Sequence, residues 1–261
     1  MEPTDRVNPY EAPRAELDAA PASGPQANLA DAVAGRYSFT VGEVMDEAWR
    51  LVKGMKGTFW GAGIVVGLIF LAFNALCGVV LAAVVRTTNP IANFVLNGLV
   101  GALMTPLLMG MQMLCVRRAL GQPISFSTAF SYFSRAGTAI AAGLMVMLLT
   151  YLGFAALVIP GIYLAVAYSL TTTIIGAEGL TAWKAMETSR RAITHRWWSV
   201  LGLGLAVGLL TGVSAFGLLI PLIWTGPWAM MTTAVLYRRM FYASRASVAD
   251  GAPVAAPIPP G

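Results

Sequence analysis

The residues best suited to chemistry in this sequence are cations that flank long apolar runs. Positive groups beside a membrane attract anionic lipid headgroups, at about 1 kcal/mol each. The same charges also set the topology of any multi-pass protein, so topology alone is the other interpretation. Nine residues make up this candidate set of anionic-lipid contacts: Lys53, Lys56, Arg117, Arg118, Arg190, Arg191, Arg196, Arg238 and Arg239.

Four amide side chains fall inside the apolar runs, and the three other than Asn74 are of interest for function. Asn93 and Asn97 are one helical turn apart and share a helix face, and Gln112 follows in the same run. They are candidates for a polar path across the membrane, while hydrogen bonds between helices are the alternative. No acidic or basic residue lies inside an expected span, which disfavours ion-coupled transport and catalysis within the membrane.

Metal and nucleophile chemistry has few candidates. His195 is the only histidine, and it stands next to Arg196 and Trp197, as a residue at headgroup level would. Cys77 and Cys115 lie inside apolar runs, away from that histidine, so neither a His–Cys site nor a disulfide is expected. We therefore expect no catalytic residue, no metal site, no cofactor and no enzymatic activity.

The composition requires a membrane. The chain has 261 residues, of which 57% are hydrophobic and 11% charged, with a mean hydropathy of +0.70. A soluble domain carries about 25% charged residues. One crossing needs about 20 apolar residues, and six runs qualify, near 59–85, 91–116, 137–158, 162–176, 198–219 and from the 221–227 turn to 237. The prediction is an all-α, polytopic bundle of six transmembrane helices.

Amphipathic segments precede the spans. Thr40 and Glu43 have the spacing of a capping box, and the apolar residues that follow recur every three or four positions as far as Met55. Such a helix should lie in the membrane interface. Segments 125–135 and 178–197 have the same character.

The distribution of charge predicts the orientation. With six spans, 16 of the 17 lysines and arginines fall on one side, in segments 1–58, 117–136, 177–197 and 238–261. The positive-inside rule places this side, and both termini, in the cytoplasm. The opposite face would hold only residues 86–90, 159–161 and 221–227. Because residues 1–37 and 244–261 lack apolar periodicity, both are expected to be disordered tails of the membrane domain at 38–243.

Self-comparison indicates three tandem units, at about 40–118, 125–178 and 180–240. At an offset of 61, Pro160 matches Pro221, and at an offset of 121, Arg118 matches Arg239. Each unit holds two spans, so the repeats would be parallel hairpins. Glycine pairs four residues apart, 63 and 67 and then 204 and 208, permit close helix packing, either inside the protein or between copies.

The segments Leu157-Val158-Ile159-Pro160-Gly161-Ile162-Tyr163-Leu164 and Ala182–Arg191 resemble a bacterial family. Its members are six-span inner-membrane proteins related to the membrane domain of glycerophosphoryl diester phosphodiesterases. The resemblance implies a helical domain in the bacterial cytoplasmic membrane. It does not imply diesterase activity, because the soluble domain that carries catalysis in those enzymes has no counterpart in the residues after Ala243.

The first function expected is that of a non-enzymatic scaffold, accessory subunit or envelope factor that organises membrane lipids or a partner protein. A small-molecule or lipid transporter with a polar path between repeats is the alternative. The expected partners are anionic lipid headgroups, together with another membrane protein or a second copy of the chain. Nucleic acid is not expected, because the net charge of +5 sits beside apolar runs.

Overall fold

Every regular element in the described part of the chain is helical. The computed structural model describes residues 27–84, 90–216 and 221–242. The α-helices there are α1 (Leu29–Val33), α2 (Val41–Val52), α3 (Lys56–Val84), α4 (Pro90–Leu103), α5 (Thr105–Ala119), α6 (Ala136–Ala156), α7 (Val158–Ala167), α8 (Thr171–Glu178), α9 (Ala182–Thr194), α10 (Trp197–Phe216) and α11 (Leu222–Phe241). Two short 3-10 helices, Phe126–Phe130 and Phe133–Arg135, precede α6. The all-α prediction is confirmed for these residues.

Within the described ranges, four helical stretches are long and apolar enough to cross a membrane. They cover Lys56–Val79, Phe126–Ala156, Val158–Glu178 and Trp197–Ser214, and the bent pair Ala92–Leu103 and Thr105–Ala119, at 52°, makes a fifth if it counts as one span. Large apolar side chains on these helices face outward, as lipid contact requires. The predicted sixth span corresponds to α11, which does not meet this criterion.

The first turns of α3 and α11 lie against each other. The Trp60 indole N–H donates to the Ile223 carbonyl at 3.0 Å, and the Lys56 ammonium lies 5.4 Å from the centroid of the Trp224 ring. The sequence placed these segments at opposite membrane faces, which are about 30 Å apart. The structure brings them into direct contact, so they do not lie at opposite faces of a membrane.

The core consists of α5, α8 and α11, each paired with a short amphipathic helix. The helix α2 packs on α11, the turn Phe126–Phe130 packs on α5, and α9 packs on α8. The pairing buries the apolar stripe of the amphipathic partner and leaves its polar face outside. In α2, for example, Val44 and Ala48 are fully buried, whereas Asp46 and Arg50 are exposed.

The start of α2 follows the expected chemistry. The helix begins after Thr40, whose hydroxyl oxygen accepts the Glu43 amide N–H at 3.3 Å. This satisfies one of the free donors at a helix start. The prediction of an amphipathic helix from Thr40 is confirmed.

Residues 27–37 differ from the expected tail because they pack on the core. The Asn28 amide donates to the Phe241 carbonyl at 2.6 Å, and the Tyr37 hydroxyl donates to the Ala192 carbonyl at 2.5 Å. Tyr37 is 3% exposed and Phe39 is 4% exposed. Two aromatic anchors therefore order a segment that has no apolar periodicity. The rest of the predicted tails lies outside the described residues.

Internal packing accounts for one of the four paired glycines. A methyl group added at Gly63 would lie 3.6 Å from the Met111 methyl carbon. The same addition at Gly67, Gly204 or Gly208 would meet no described atom within 4 Å. Most of this small-residue surface is therefore open in the described part of the protein.

Candidate functional site

A buried charged cluster closes the bundle where α11 ends. Arg239 donates through Nε to Glu47 Oε2 at 2.8 Å and through Nη1 to Glu43 Oε2 at 2.6 Å. Arg238 forms an ion pair with the same Glu47 carboxylate. Glu47, Arg238 and Arg239 are 8%, 4% and 6% exposed. Two neighbouring cations are thus compensated inside the protein by α2.

The cluster is held from two further directions. Arg238 Nη1 donates to the Ala119 carbonyl at 2.7 Å, which places a cation at the C-terminal end of α5, where carbonyls are unpaired. Burial alone would raise the pKa of Glu43, but hydrogen bonds and charge from Arg239, with hydrogen bonds from Thr40, outweigh it and lower that pKa. Glu43 therefore stays ionised, and the cluster has balanced charge.

Three more arginines hold main-chain carbonyls. Arg118 donates to the carbonyls of Leu51 and Lys53 at 3.3 and 3.0 Å, at the end of α2. Arg135 donates to Gly176, at 2.5 Å, and to Ile175 near the end of α8. Arg196 donates to the Phe39 carbonyl at 3.3 Å. These contacts satisfy carbonyls that a helix end or loop leaves without partners.

The exposed face of α9 carries a three-residue clamp. Glu187 accepts from Arg190 at 2.7 and 2.9 Å and from Arg191 at 2.6 Å. Hydrogen bonds from Arg190 and Arg191, followed by their charge, hold the pKa of Glu187 at about 2. The clamp keeps a net charge of +1, so it attracts an anionic headgroup less strongly than two unpaired arginines would.

The remaining candidate cations, Lys53, Lys56 and Arg117, lie at the ends of α2 and α5 and at the start of α3. Arg118 ties the end of α5, which also carries Arg117, to the end of α2, where Lys53 follows the helix. Lys56 follows at the start of α3. Arg50, which was not among the candidates, lies one turn before Lys53 on α2. We call these four residues, Arg50, Lys53, Lys56 and Arg117, the basic elbow; within the described residues none of them has an ion-pair partner.

The predicted lipid contacts therefore fall into two groups. In the first group, Arg238 and Arg239 are enclosed and paired, Arg190 and Arg191 are paired with Glu187, and Arg118 and Arg196 are engaged with carbonyls; Lys53, Lys56 and Arg117 form the second. Arg50, Lys53 and Arg117 have no ion pair among the described residues, and Lys56 lies over the Trp224 ring. Arg50 could have been found from the sequence, because residues 50, 53 and 56 recur at steps of three.

Two of the three predicted path amides donate hydrogen bonds to main-chain carbonyls. Asn93 and Asn97 are exposed on α4, and the Asn97 amide donates to the Asn93 carbonyl of its own helix at 2.7 Å. Gln112 is 8% exposed and donates to the Met230 carbonyl of α11 at 3.2 Å. The Asn97 and Gln112 amides thus serve local and interhelical bonding, the alternative that the sequence left open.

One pair of ionisable groups converges without access for a substrate. The Tyr237 hydroxyl donates to the Glu178 carboxylate, which joins α11 to the end of α8. Tyr237 is fully buried, so no substrate atom could reach its hydroxyl. Among the described residues, no group of three His, Cys, Asp or Glu side chains is placed to hold a metal ion.

Comparison with known proteins identifies no relative of this chain. No family model, no curated protein and no solved structure matches the chain.

Proposed function

We propose that this chain is a multi-pass membrane protein without a catalytic site, and that it organises anionic lipids through the basic elbow. The observation that carries the proposal is the contrast between engaged and unengaged cations. Glutamates or carbonyls occupy most arginines, whereas the elbow presents four cations with no ion pair in the described part of the chain. Organising lipid or a partner protein would make it a scaffold or envelope factor.

The surroundings of the elbow favour a lipid over a soluble anion. Trp49 is 48% exposed and Trp224 is 42% exposed, and indole rings favour the headgroup level of a bilayer. After Lys56, the first half of α3 presents outward-facing apolar residues such as Ile64 and Leu68, which are 59% and 61% exposed. Cations, indoles and apolar side chains thus follow one another in the order that a bilayer surface requires.

Both ends of the described chain lie on one side of the molecule, which supports an even number of crossings. The Asn28 amide bonds to the Phe241 carbonyl, so the two ends leave the same region. The excess of lysine and arginine on segments flanking the spans favours the cytoplasm for that side. A bacterial inner membrane is the location that the family resemblance implies, and it belongs to this proposal.

The proposed three-unit architecture gains support from the way the helices pair. Each core helix carries the amphipathic segment that follows it in the chain, and α11, the last core helix, carries α2, the first amphipathic helix. Arg135 and Arg196, which are 61 residues apart, each bond to main-chain carbonyls. A cyclic arrangement of three parallel units predicts both regularities.

The test compares two triple variants that remove equal charge. Lys53, Lys56 and Arg117 are replaced by Gln in one variant, and Lys184, Arg190 and Arg191 on α9 in the control. We expect the elbow variant to lose about tenfold or more of its affinity for phosphatidylglycerol, since each cation near a membrane contributes about 1 kcal/mol. Native mass spectrometry in neutral detergent measures the bound lipid. Unchanged binding, or an equal loss in the control, would rule out the elbow as the site.

A further inference from the structure

A second surface feature lies next to the basic elbow and presents hydrogen-bond acceptors, including a carboxylate, instead of cations. An open cavity of about 310 Å³ lies between α2, α10 and α11. Asp46 and Trp49 contribute from α2, Ser214 from α10, and Thr225 and Trp228 from α11. The Asp46 carboxylate is exposed and has no hydrogen bond or ion pair with the described residues.

The polar atoms that line this cavity are mostly acceptors. The Ser214 hydroxyl donates its proton to the Leu210 carbonyl at 2.7 Å, and the Thr225 hydroxyl donates to the Pro221 carbonyl at 3.2 Å. Each hydroxyl oxygen therefore has only lone pairs left for a ligand. The Trp228 indole N–H is also used, by the Met45 carbonyl at 3.1 Å. A ligand for this cavity must bring donors.

The aromatic walls favour a cation among possible donors. The rings of Trp49 and Trp228 meet edge to face, with centroids 6.5 Å apart and an interplanar angle of 73°. Trp228 is 4% exposed and fixed by its hydrogen bond, so its ring forms a rigid wall. Indole faces attract ammonium groups, and a neighbouring carboxylate adds a charge-assisted hydrogen bond.

The position of the cavity points to a lipid as the source of the ammonium. On α10 the cavity borders Leu210, and the neighbouring Leu209 and Val213 are 70% and 62% exposed, which gives an apolar surface for acyl chains. Arg50 follows Asp46 after one turn of α2, and Lys53 is the residue after the end of that helix, so two cations for a phosphate follow the carboxylate along the chain. The acceptors of the cavity thus match the ammonium group of a zwitterionic lipid, Arg50 and Lys53 match its phosphate, and the apolar surface of α10 matches its acyl chains.

We propose that this cavity binds the primary ammonium group of a phosphatidylethanolamine headgroup, with the phosphate on Arg50 and Lys53. The three N–H donors of a primary ammonium match the carboxylate and two hydroxyl acceptors, whereas a trimethylated ammonium has no donor. Phosphatidylethanolamine should therefore bind more tightly than phosphatidylcholine. The inference rests on the proposed lipid-organising function and gives it a lipid class, bound in a cavity beside the elbow with Arg50 and Lys53 shared by the two.

The test uses the full chain in neutral detergent, titrated separately with short-chain phosphatidylethanolamine, phosphatidylcholine and phosphatidylglycerol. Asp46→Asn should weaken binding of phosphatidylethanolamine about tenfold, the order expected for a hydrogen bond to a charged group. Phosphatidylglycerol binding should stay the same or increase. Trp49→Leu should also weaken phosphatidylethanolamine binding, while Trp183→Leu, which removes an exposed indole on α9, is the matched control.

The outcomes separate this inference from the proposed function. If phosphatidylglycerol binds at the elbow but Asp46→Asn leaves phosphatidylethanolamine binding unchanged, the cavity proposal is wrong and the elbow stands. If phosphatidylglycerol binding is insensitive to the elbow variant, the proposed function itself fails. Soluble phosphoethanolamine that binds as tightly as the lipid would overturn the assignment to a membrane lipid. Equal affinity for phosphatidylcholine would overturn the role of the hydroxyl acceptors.

Discussion

Replacing Glu47 with Gln should strongly destabilise the protein. The Glu47 carboxylate contacts Arg238 and Arg239, and all three side chains are nearly enclosed. Removing one partner of a buried ion pair costs about 3–5 kcal/mol, because an uncompensated charge stays in a poorly solvated site. Arg239 keeps Glu43 at 2.6 Å, so we expect the lower end of this range, about 3 kcal/mol.

A matched control exists on α9. Glu187 also bridges two arginines, but its side chain is 30% exposed and those of Arg190 and Arg191 are 36% and 59% exposed. Exposed helical pairs of this spacing contribute about 0.3–0.5 kcal/mol each. Glu187→Gln should therefore cost less than about 1 kcal/mol. The two variants make the same chemical change and differ in burial.

Thermal unfolding in mild detergent, followed by tryptophan fluorescence, measures the difference. For a chain of this length, 1 kcal/mol shifts the midpoint by about 2–4 °C. We expect a fall of about 6–12 °C for Glu47→Gln and of no more than about 4 °C for Glu187→Gln. Equal shifts would refute the reasoning that burial decides the cost. Adding Arg238→Met to the Glu47→Gln variant should recover part of the loss, because it removes the uncompensated cation.

Three further predictions concern other parts of the molecule. The folded-state pKa of Glu187 is depressed to about 2, so the contribution of this carboxylate to stability is present above the unfolded pKa and is lost as pH falls from about 4.5 towards 2. Comparing the pH dependence of stability for the unaltered protein and Glu187→Gln across this window isolates the contribution. Parallel pH profiles for the two proteins would contradict the prediction. Gly110→Ala should destabilise the protein by about 1–3 kcal/mol, since the new methyl group would overlap the Ala129 carbonyl, and an unchanged melting midpoint would show that this contact does not form. Cysteines at positions 56 and 224 should cross-link through a short bis-maleimide, because the side chains of Lys56 and Trp224 are in contact, whereas opposite membrane faces would prevent the reaction.

Local patterns predicted the helices well because capping and periodicity act over a few residues. Thr40 marked the start of α2, and the long apolar runs marked the helices that can cross a membrane. These local patterns did not predict that α11, expected as the sixth span, would not meet the criterion for a membrane span. Its apolar residues face the other core helices and α2, and hydropathy does not distinguish lipid from a protein interior.

The candidate site was predictable only in part. The sequence identified cations beside apolar runs, but not which of them have internal partners. Arg239 pairs with Glu47 across 192 residues, and no local pattern specifies a partner at that distance. A Glu43–Glu47 spacing of one turn was the available signal for a helix able to meet two adjacent arginines. The acceptor-lined cavity left no signal, since three separate helices build it.

The long separation between α2 and α11 has a consequence for biosynthesis. Glu47 leaves the ribosome 192 residues before Arg239, an interval of about 10–40 s at about 5–20 residues per second. During this time the apolar stripe of α2 has no protein partner, and the membrane surface is the nearest place to bury it. Once synthesised, α11 would then replace lipid as the partner of the apolar stripe of α2. A nascent chain arrested before α11 should therefore show α2 more accessible to lipid-borne labels than the finished protein does.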